Sequence, residues 1–339
     1  MSVRGKFILV YTLLVAGNLS AWAWALVALH DYPVLLGVAV LAYTFGLRHA
    51  VDADHIAAID NVTRKLLQEG QRPVAVGFFF SLGHSTIVIV ASAAIALATG
   101  ALQDRFISFR TVGGVVGTLI SAFFLFLVAA ANLFILRSVY QSFRQVRRGG
   151  TYADEDLNRL LEQRGLLGRL FRPIFRLISK SWHMYPLGML FGLGFDTATE
   201  IGLLGISAAQ ASKGLPVWSI MVFPALFTAG MSLIDTTDGV LMLGAYGWAF
   251  IKPIRKLYYN LTITFVSVVV AFIIGGIEVL GLLVDKFSLR GPLWDFVAAL
   301  NDNFGSLGYL IIAIFAVSWI ASIVTYQLGN YEAVITHHD

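Results

Sequence analysis

The chain has 339 residues, 58% of them hydrophobic and only 13% charged, with a mean hydropathy of +0.77; an ordinary soluble domain carries about 25% charged residues, so this is the composition of a polytopic membrane protein. Cysteine is absent, which excludes disulfide frameworks, thiolate metal sites and Cys-x-x-Cys chemistry and leaves nitrogen and oxygen as the only metal donors. The formal charge of +4 and the pI near 9.3 would suggest nucleic acid for a soluble protein, but in a membrane protein they mark cytoplasmic loops rich in Lys and Arg.

A spanning helix needs about 20 mostly apolar residues. Eight stretches qualify and predict an all-α membrane protein of a single transport domain: Phe7 to Leu29, Val34 to Ile59, Val74 to Thr99, Val112 to Leu136, Met184 to Ala208, Pro216 to Phe250, Leu257 to Val284 and Leu307 to Leu328. The first imitates a signal peptide, with "SVRGK" before an apolar run and "SAWA" after it, but the run continues through Trp22, Trp24 and Leu26 and has the length of a span. The sixth is long enough to contain a break or an interfacial turn. With the N-terminus in the cytoplasm, eighteen Lys and Arg fall inside, five outside and Arg48 within a span, so the positive-inside rule places both termini in the cytoplasm. Ten of the eighteen lie in the one long soluble segment, Arg137 to Trp182. There "LFRPIFRLISK" reads as a basic amphipathic helix on the inner leaflet. The chain contains no Walker A sequence, so no ATP-binding domain is expected in it. Gly113 and Gly117, spaced as in G-x-x-x-G, predict close helix packing in the fourth span. Weak echoes between "GFFFSLGHST" and "GMLFGLGFDT", and between "GLRHAVDAD" and "GMSLIDTTD", hint at internal duplication.

Four spans carry ionisable groups, each costing roughly 2.5–3.5 kcal/mol at the bilayer centre on insertion scales. They are Arg48, His49, Asp52, Asp54, His55 and Asp60 in the second, His84 in the third, Asp196 and Glu200 in the fifth, and Asp235 and Asp238 in the sixth. Acids outnumber the one fixed base, so the region is suited to protons or metal cations. On an ideal helix His49, Asp52 and His55 share an arc of roughly 120° over about 9 Å, while Asp54 points roughly 100° away from His55. His49, Asp54 and His55 therefore cannot all reach one ion unless the helix is distorted there, or unless neighbouring helices share the ligation while Asp54 pairs or orients. Arg48 and Asp52, at i and i+4, are placed to form a salt bridge, which would make Asp52 a supporting residue rather than a ligand. Asp196 with Glu200, and Asp235 with Asp238, each face one side of a helix and could complete a coordination sphere or take up displaced protons. His84 follows Gly83. Glu278 stands by itself near the end of the seventh span and reads equally well as a solvated acid; His337 and His338 read as a solvated tail.

These residues resemble the nickel/cobalt transporter family of bacteria and some fungi. The family signature, a histidine, four residues, then aspartate and histidine in the second helix, is matched by His49, Asp54 and His55 within "RHAVDADHI"; "LGHSTIV", "LGFDTATEI" and "GMSLIDTTDG" match three further family blocks in order. The resemblance implies a secondary permease of the plasma membrane, the inner membrane in bacteria, that takes up Ni²⁺ or Co²⁺, with His49, Asp54 and His55 essential. It also implies no catalytic cofactor and no nucleic-acid partner, only a divalent metal substrate and the lipid bilayer. Two other readings compete. A related exporter would share the motifs, although no long His-rich loop is present to collect cytoplasmic metal. A membrane acyltransferase would use His49 and Asp54 as base and orienting acid, but leaves His55, Asp196, Glu200 and Asp238 unexplained.

Overall fold

The computed structural model describes residues 2–97, 100–147, 178–194, 198–249 and 253–328. The secondary structure of the described residues is helical, a short 3-10 helix at Ser181–His183 and twelve α-helices: α1 (Val3–Ala28), α2 (Val34–His49), α3 (Ala53–Gln68), α4 (Val76–Leu97), α5 (Gly100–Arg147), α6 (Met184–Phe191), α7 (Ala198–Ser212), α8 (Val217–Ile220), α9 (Val222–Ala249), α10 (Pro253–Phe287), α11 (Pro292–Asp302) and α12 (Phe304–Leu328). In a bilayer the backbone must satisfy its own hydrogen bonds, and helices do so within one segment. Five segments are long and apolar enough to cross, in α1, α4, α5, α8–α9 and α10; two bent pairs, α2 with α3 and α11 with α12, raise the number to seven. The expected fifth span is divided between α6 and α7 around residues 195–197, which lie outside the described residues. Most of the basic segment from Arg137 to Trp182 lies outside them too, as do the terminal histidines.

Large apolar side chains such as Leu19, Val27, Leu241 and Phe272 face outward, the arrangement of a surface solvated by lipid. The interior divides into clusters that share the central helices. One joins α1, α2, α7 and α9 through Leu29, Ala42, Leu203 and Phe227. A second joins α3, α5, α10 and α12 through Ile56, Leu125, Ile274 and Phe315. A third fastens α4 and α6 to α3 through Phe80, Phe191 and Ile59.

Glycines set the closest approaches. A Cβ on Gly83 would strike the Tyr185 carbonyl, and one on Gly188 the Phe80 carbonyl, so α4 and α6 touch backbone to backbone from both sides. Gly46 on α2 meets the Phe227 carbonyl of α9 in the same way, and Gly117 of the fourth-span motif meets Gly194. Gly188→Leu is expected to cost about 1–3 kcal/mol by overpacking, read as a lower unfolding temperature of the detergent-solubilised protein; Gly205→Leu, at a position with open space, is the control and should leave it unchanged.

The second span is the main departure from the sequence expectation. The continuous helix expected over Val34 to Ile59 ends at His49 and resumes at Ala53 with a 51° bend. Asp52 occupies the N-cap of α3 in extended conformation, φ −64° and ψ 147°, but its carboxylate makes no capping bond. An aspartate favours that backbone position, and here its side chain is directed elsewhere. A helix broken in mid-membrane is tolerated where the break lines a cavity.

Candidate metal centre

The break brings His49, at the last turn of α2, and His55, in the first turn of α3, to the same point, and α4 adds His84. Their ring centroids form a nearly equilateral triangle of 4.6, 4.8 and 4.9 Å. One nitrogen from each lies within 4.8 Å of the other two, and all three side chains are buried. His49 Nε2 and His84 Nε2 are 3.1 Å apart. Two nitrogens on one ion at about 2.0–2.1 Å stand about 3 Å apart when their bonds are at right angles, so this pair is already spaced as neighbouring ligands.

Carboxylates hold the rings from behind. Asp52 Oδ2 is 2.9 Å from His49 Nδ1, and its other oxygen faces Arg48 Nη1 at 3.5 Å. The two Asp235 oxygens lie 3.3 and 3.4 Å from His55 Nδ1. A carboxylate on Nδ1 favours the tautomer with the proton there, which fixes the ring and turns the Nε2 lone pair toward an ion. His55 Nε2 is buried and has no hydrogen-bond partner, a cost that a bound cation would remove. Glu200 of α7 accepts a short hydrogen bond from His84 Nε2 and lies 3.5 Å from His49 Nε2. Its Oε1 thus faces the Nε2 atoms of two of the three histidines. Phe80 and Phe227 pack on His55 and His49, at centroid distances of 4.8 and 5.5 Å, and exclude water from that side.

The remaining sequence candidates separate. Asp54, in the first turn of α3, lines the cavity that reaches the histidines, and its buried Oδ1 has no partner. Asp238 lies three residues beyond Asp235 on α9, outside the triangle, with its Oδ2 buried and unpartnered. Asp196 is outside the described residues. The cavity, about 330 Å³, is lined by Arg48, His49, Asp52, Asp54 and His84 together with Ser121, Glu278 and Asp302. Glu278, for which the sequence left a solvated acid and a functional acid equally open, is 5% exposed and accepts a 2.7 Å hydrogen bond from Ser121. Its signal was an acid inside an apolar run, the general mark of an ion pathway.

The comparisons agree with this chemistry. The family model described as high-affinity nickel-transport protein matches residues 35–325. Among relatives, the high-affinity nickel transport protein of Cupriavidus necator is 64% identical over 97% of this chain and 94% of its own length. The nickel transporter NixA of Staphylococcus aureus is 47% identical over 89% of this chain and 88% of its own. The cobalt transport protein NhlF of Rhodococcus rhodochrous is 42% identical over 86% and 82%. No solved structure matches. None of these relatives is named as an exporter or an acyltransferase. A chain covered by the family model from its second helix to its last, and carrying three buried histidines at a broken helix, belongs to the high-affinity nickel-transport protein family.

Proposed function

We propose that this chain is a secondary permease for uptake of Ni²⁺ or Co²⁺ across the plasma membrane, with His49, His55 and His84 as the nitrogen ligands of the transported ion and Glu200 as the adjacent oxygen ligand. The observation that carries the reading is the convergence of three buried imidazoles, two of them oriented by carboxylates, at the end of a polar cavity. Imidazole with carboxylate suits borderline ions such as Ni²⁺, Co²⁺ and Zn²⁺ better than Mg²⁺ or Ca²⁺. The relatives named for nickel and for cobalt support both ions as candidates.

The full topology is eight spans with both termini in the cytoplasm, α6 and α7 together forming the fifth. The cavity then opens outward. Asp54, Glu278 and Asp302 line it against one cation, Arg48, which is held beside Asp52. A hydrated divalent ion is drawn in by this excess of negative charge. It exchanges water for His55 Nε2 and for the nitrogens of His49 and His84, while Asp52 and Asp235 retain the Nδ1 protons. Rearrangement of the bundle around the fixed site then exposes the ion to the cytoplasm.

Cells expressing the protein should accumulate radiolabelled Ni²⁺ or Co²⁺ above the vector control, with mutual competition giving the preference. A lower metal content than the control would reverse the direction of transport. Metal binding by the purified protein should also weaken as the pH is lowered, because protonation of a ligand imidazole removes its lone pair. Affinity unchanged between about pH 8 and about pH 5 would count against histidine ligation.

A further inference from the structure

An open groove of about 840 Å³ runs between α5 and α10, and its lining includes none of the metal-centre residues. Its walls are apolar, with Leu133 and Leu136 of α5 and Leu261 and Phe265 of α10, and Arg137 and Tyr140 stand at one end. Arg137 is the one charged group of that lining, and no acid shares it. Leu133, Tyr140 and Phe265 are each more than half exposed, so the groove opens to the surroundings of the bundle rather than to its interior. On α5 the positions Leu133, Arg137, Tyr140 and Arg144 recur at i, i+4, i+7 and i+11 and form one stripe. That stripe is apolar within the groove and cationic where it leaves, and both arginines are exposed.

The two helices run antiparallel. A Cβ on Gly275 would sit 3.4 Å from the Ala122 carbonyl, and the Phe126 and Phe272 rings pack at 5.4 Å; farther along, Arg137 shares the groove with Leu261. About two more turns in the same register bring α5 to Arg144 and α10 to its first turn, which carries Arg255 and Lys256. The basic end of the groove therefore draws on both helices.

Resting on the topology proposed above, we propose that the α5–α10 groove binds one anionic phospholipid of the inner leaflet, with an acyl chain along Leu133, Leu136, Leu261 and Phe265 and the phosphate at Arg137, Tyr140 and Arg144. Depth supports this occupant. The most apolar stretch of α5 ends at Ala130, which is also part of the groove lining, so the groove lies where acyl chains give way to head groups, and Tyr140 stands where interfacial aromatics belong. Charge supports it as well: a basic pocket between helices on the cytoplasmic side suits an anionic head group. The other occupants fit less well. A second copy related by a two-fold axis would set Arg137 and Arg144 against their own counterparts. The chain's own segment 148–177 carries six arginines and four acids, so its net sign is that of the groove's mouth.

The test is native mass spectrometry of the purified, delipidated full-length protein, titrated with phosphatidylglycerol or with phosphatidylcholine of the same acyl chains. Wild type should bind one phosphatidylglycerol at least about fivefold more tightly than phosphatidylcholine. Arg137→Gln and Arg144→Gln should each weaken phosphatidylglycerol by about fivefold and leave phosphatidylcholine unchanged. Dihexanoyl phosphatidylglycerol, which has the same head group on short chains, should bind at least about tenfold more weakly than the long-chain lipid. Arg4→Gln, at the start of α1 on the same side of the membrane, is the control and should leave both affinities as they are. Ni²⁺ binding retained by the variants reports that they are folded. Equal binding of the two lipids by wild type, unchanged phosphatidylglycerol affinity in both Arg137→Gln and Arg144→Gln, an equal loss in Arg4→Gln, or a dimer mass that excludes the lipid would each overturn the proposal. A lipid preference in a wild-type protein that binds no Ni²⁺ would instead overturn the transport-site reading and leave the lipid site standing.

Discussion

His49→Ala, His55→Ala and His84→Ala are each expected to abolish Ni²⁺ and Co²⁺ uptake by cells expressing matched amounts of the protein in the membrane. The reason lies in the triangle of imidazoles. Each ring supplies one of three nitrogen donors that lie within 4.8 Å of one another. Removing one also leaves its carboxylate, Asp52 for His49, Asp235 for His55 or Glu200 for His84, buried without that partner. The loss should therefore exceed that of a single metal bond, and reduced folding should be checked by the level of protein in the membrane. Retention of wild-type uptake by His84→Ala would separate it from the two second-span histidines and reduce the site to α2 and α3.

The second large effect concerns the carboxylates that sit behind the histidines of the proposed site. Asp235→Asn and Asp52→Asn are expected to weaken metal binding by about 10–100-fold, the usual range for losing a carboxylate behind a ligating histidine. An asparagine keeps the shape and the acceptor oxygen but removes the charge that holds the Nδ1 proton in place. Asp52→Asn further leaves Arg48 beside the cavity without its acidic neighbour at 3.5 Å, so entry of a divalent cation should slow as well. Asp235→Asn should act on affinity, because Asp235 faces His55 and lies outside the cavity lining. Isothermal titration of the purified variants with Ni²⁺, compared with initial uptake rates, distinguishes the two. Equal affinity in wild type and Asp235→Asn would show that His55 is not oriented by this carboxylate.

Much of this site was legible in the sequence because ionisable residues in apolar helices are rare, and each one marks a role or a partner. His49, His55, His84, Glu200 and Asp235 all stood out for that reason. What could not be read was the break between His49 and Ala53. The apolar periodicity runs through Ala50 and Val51 without interruption, and only Asp52, a residue type that favours helix N-caps, hinted at it. Treating the span as one ideal helix spread its three polar residues over about 9 Å, whereas the bend brings both histidines together. Pairings across helices were equally hidden: nothing in "DTTDG" distinguishes Asp235, which meets His55, from Asp238, whose buried Oδ2 has no partner. Tyr246 and Ser267 carried no signal, being ordinary members of apolar helices until the fold sets both against Asp60.

The measurement that tests the metal centre most directly is X-ray absorption at the nickel edge of the purified, Ni²⁺-loaded protein, beside His84→Ala. The expected spectrum contains two or three imidazole nitrogens at about 2.0–2.1 Å, with one imidazole fewer in the variant. Coordination by oxygen alone, or a spectrum unchanged in His84→Ala, would contradict a transport site built on His49, His55 and His84.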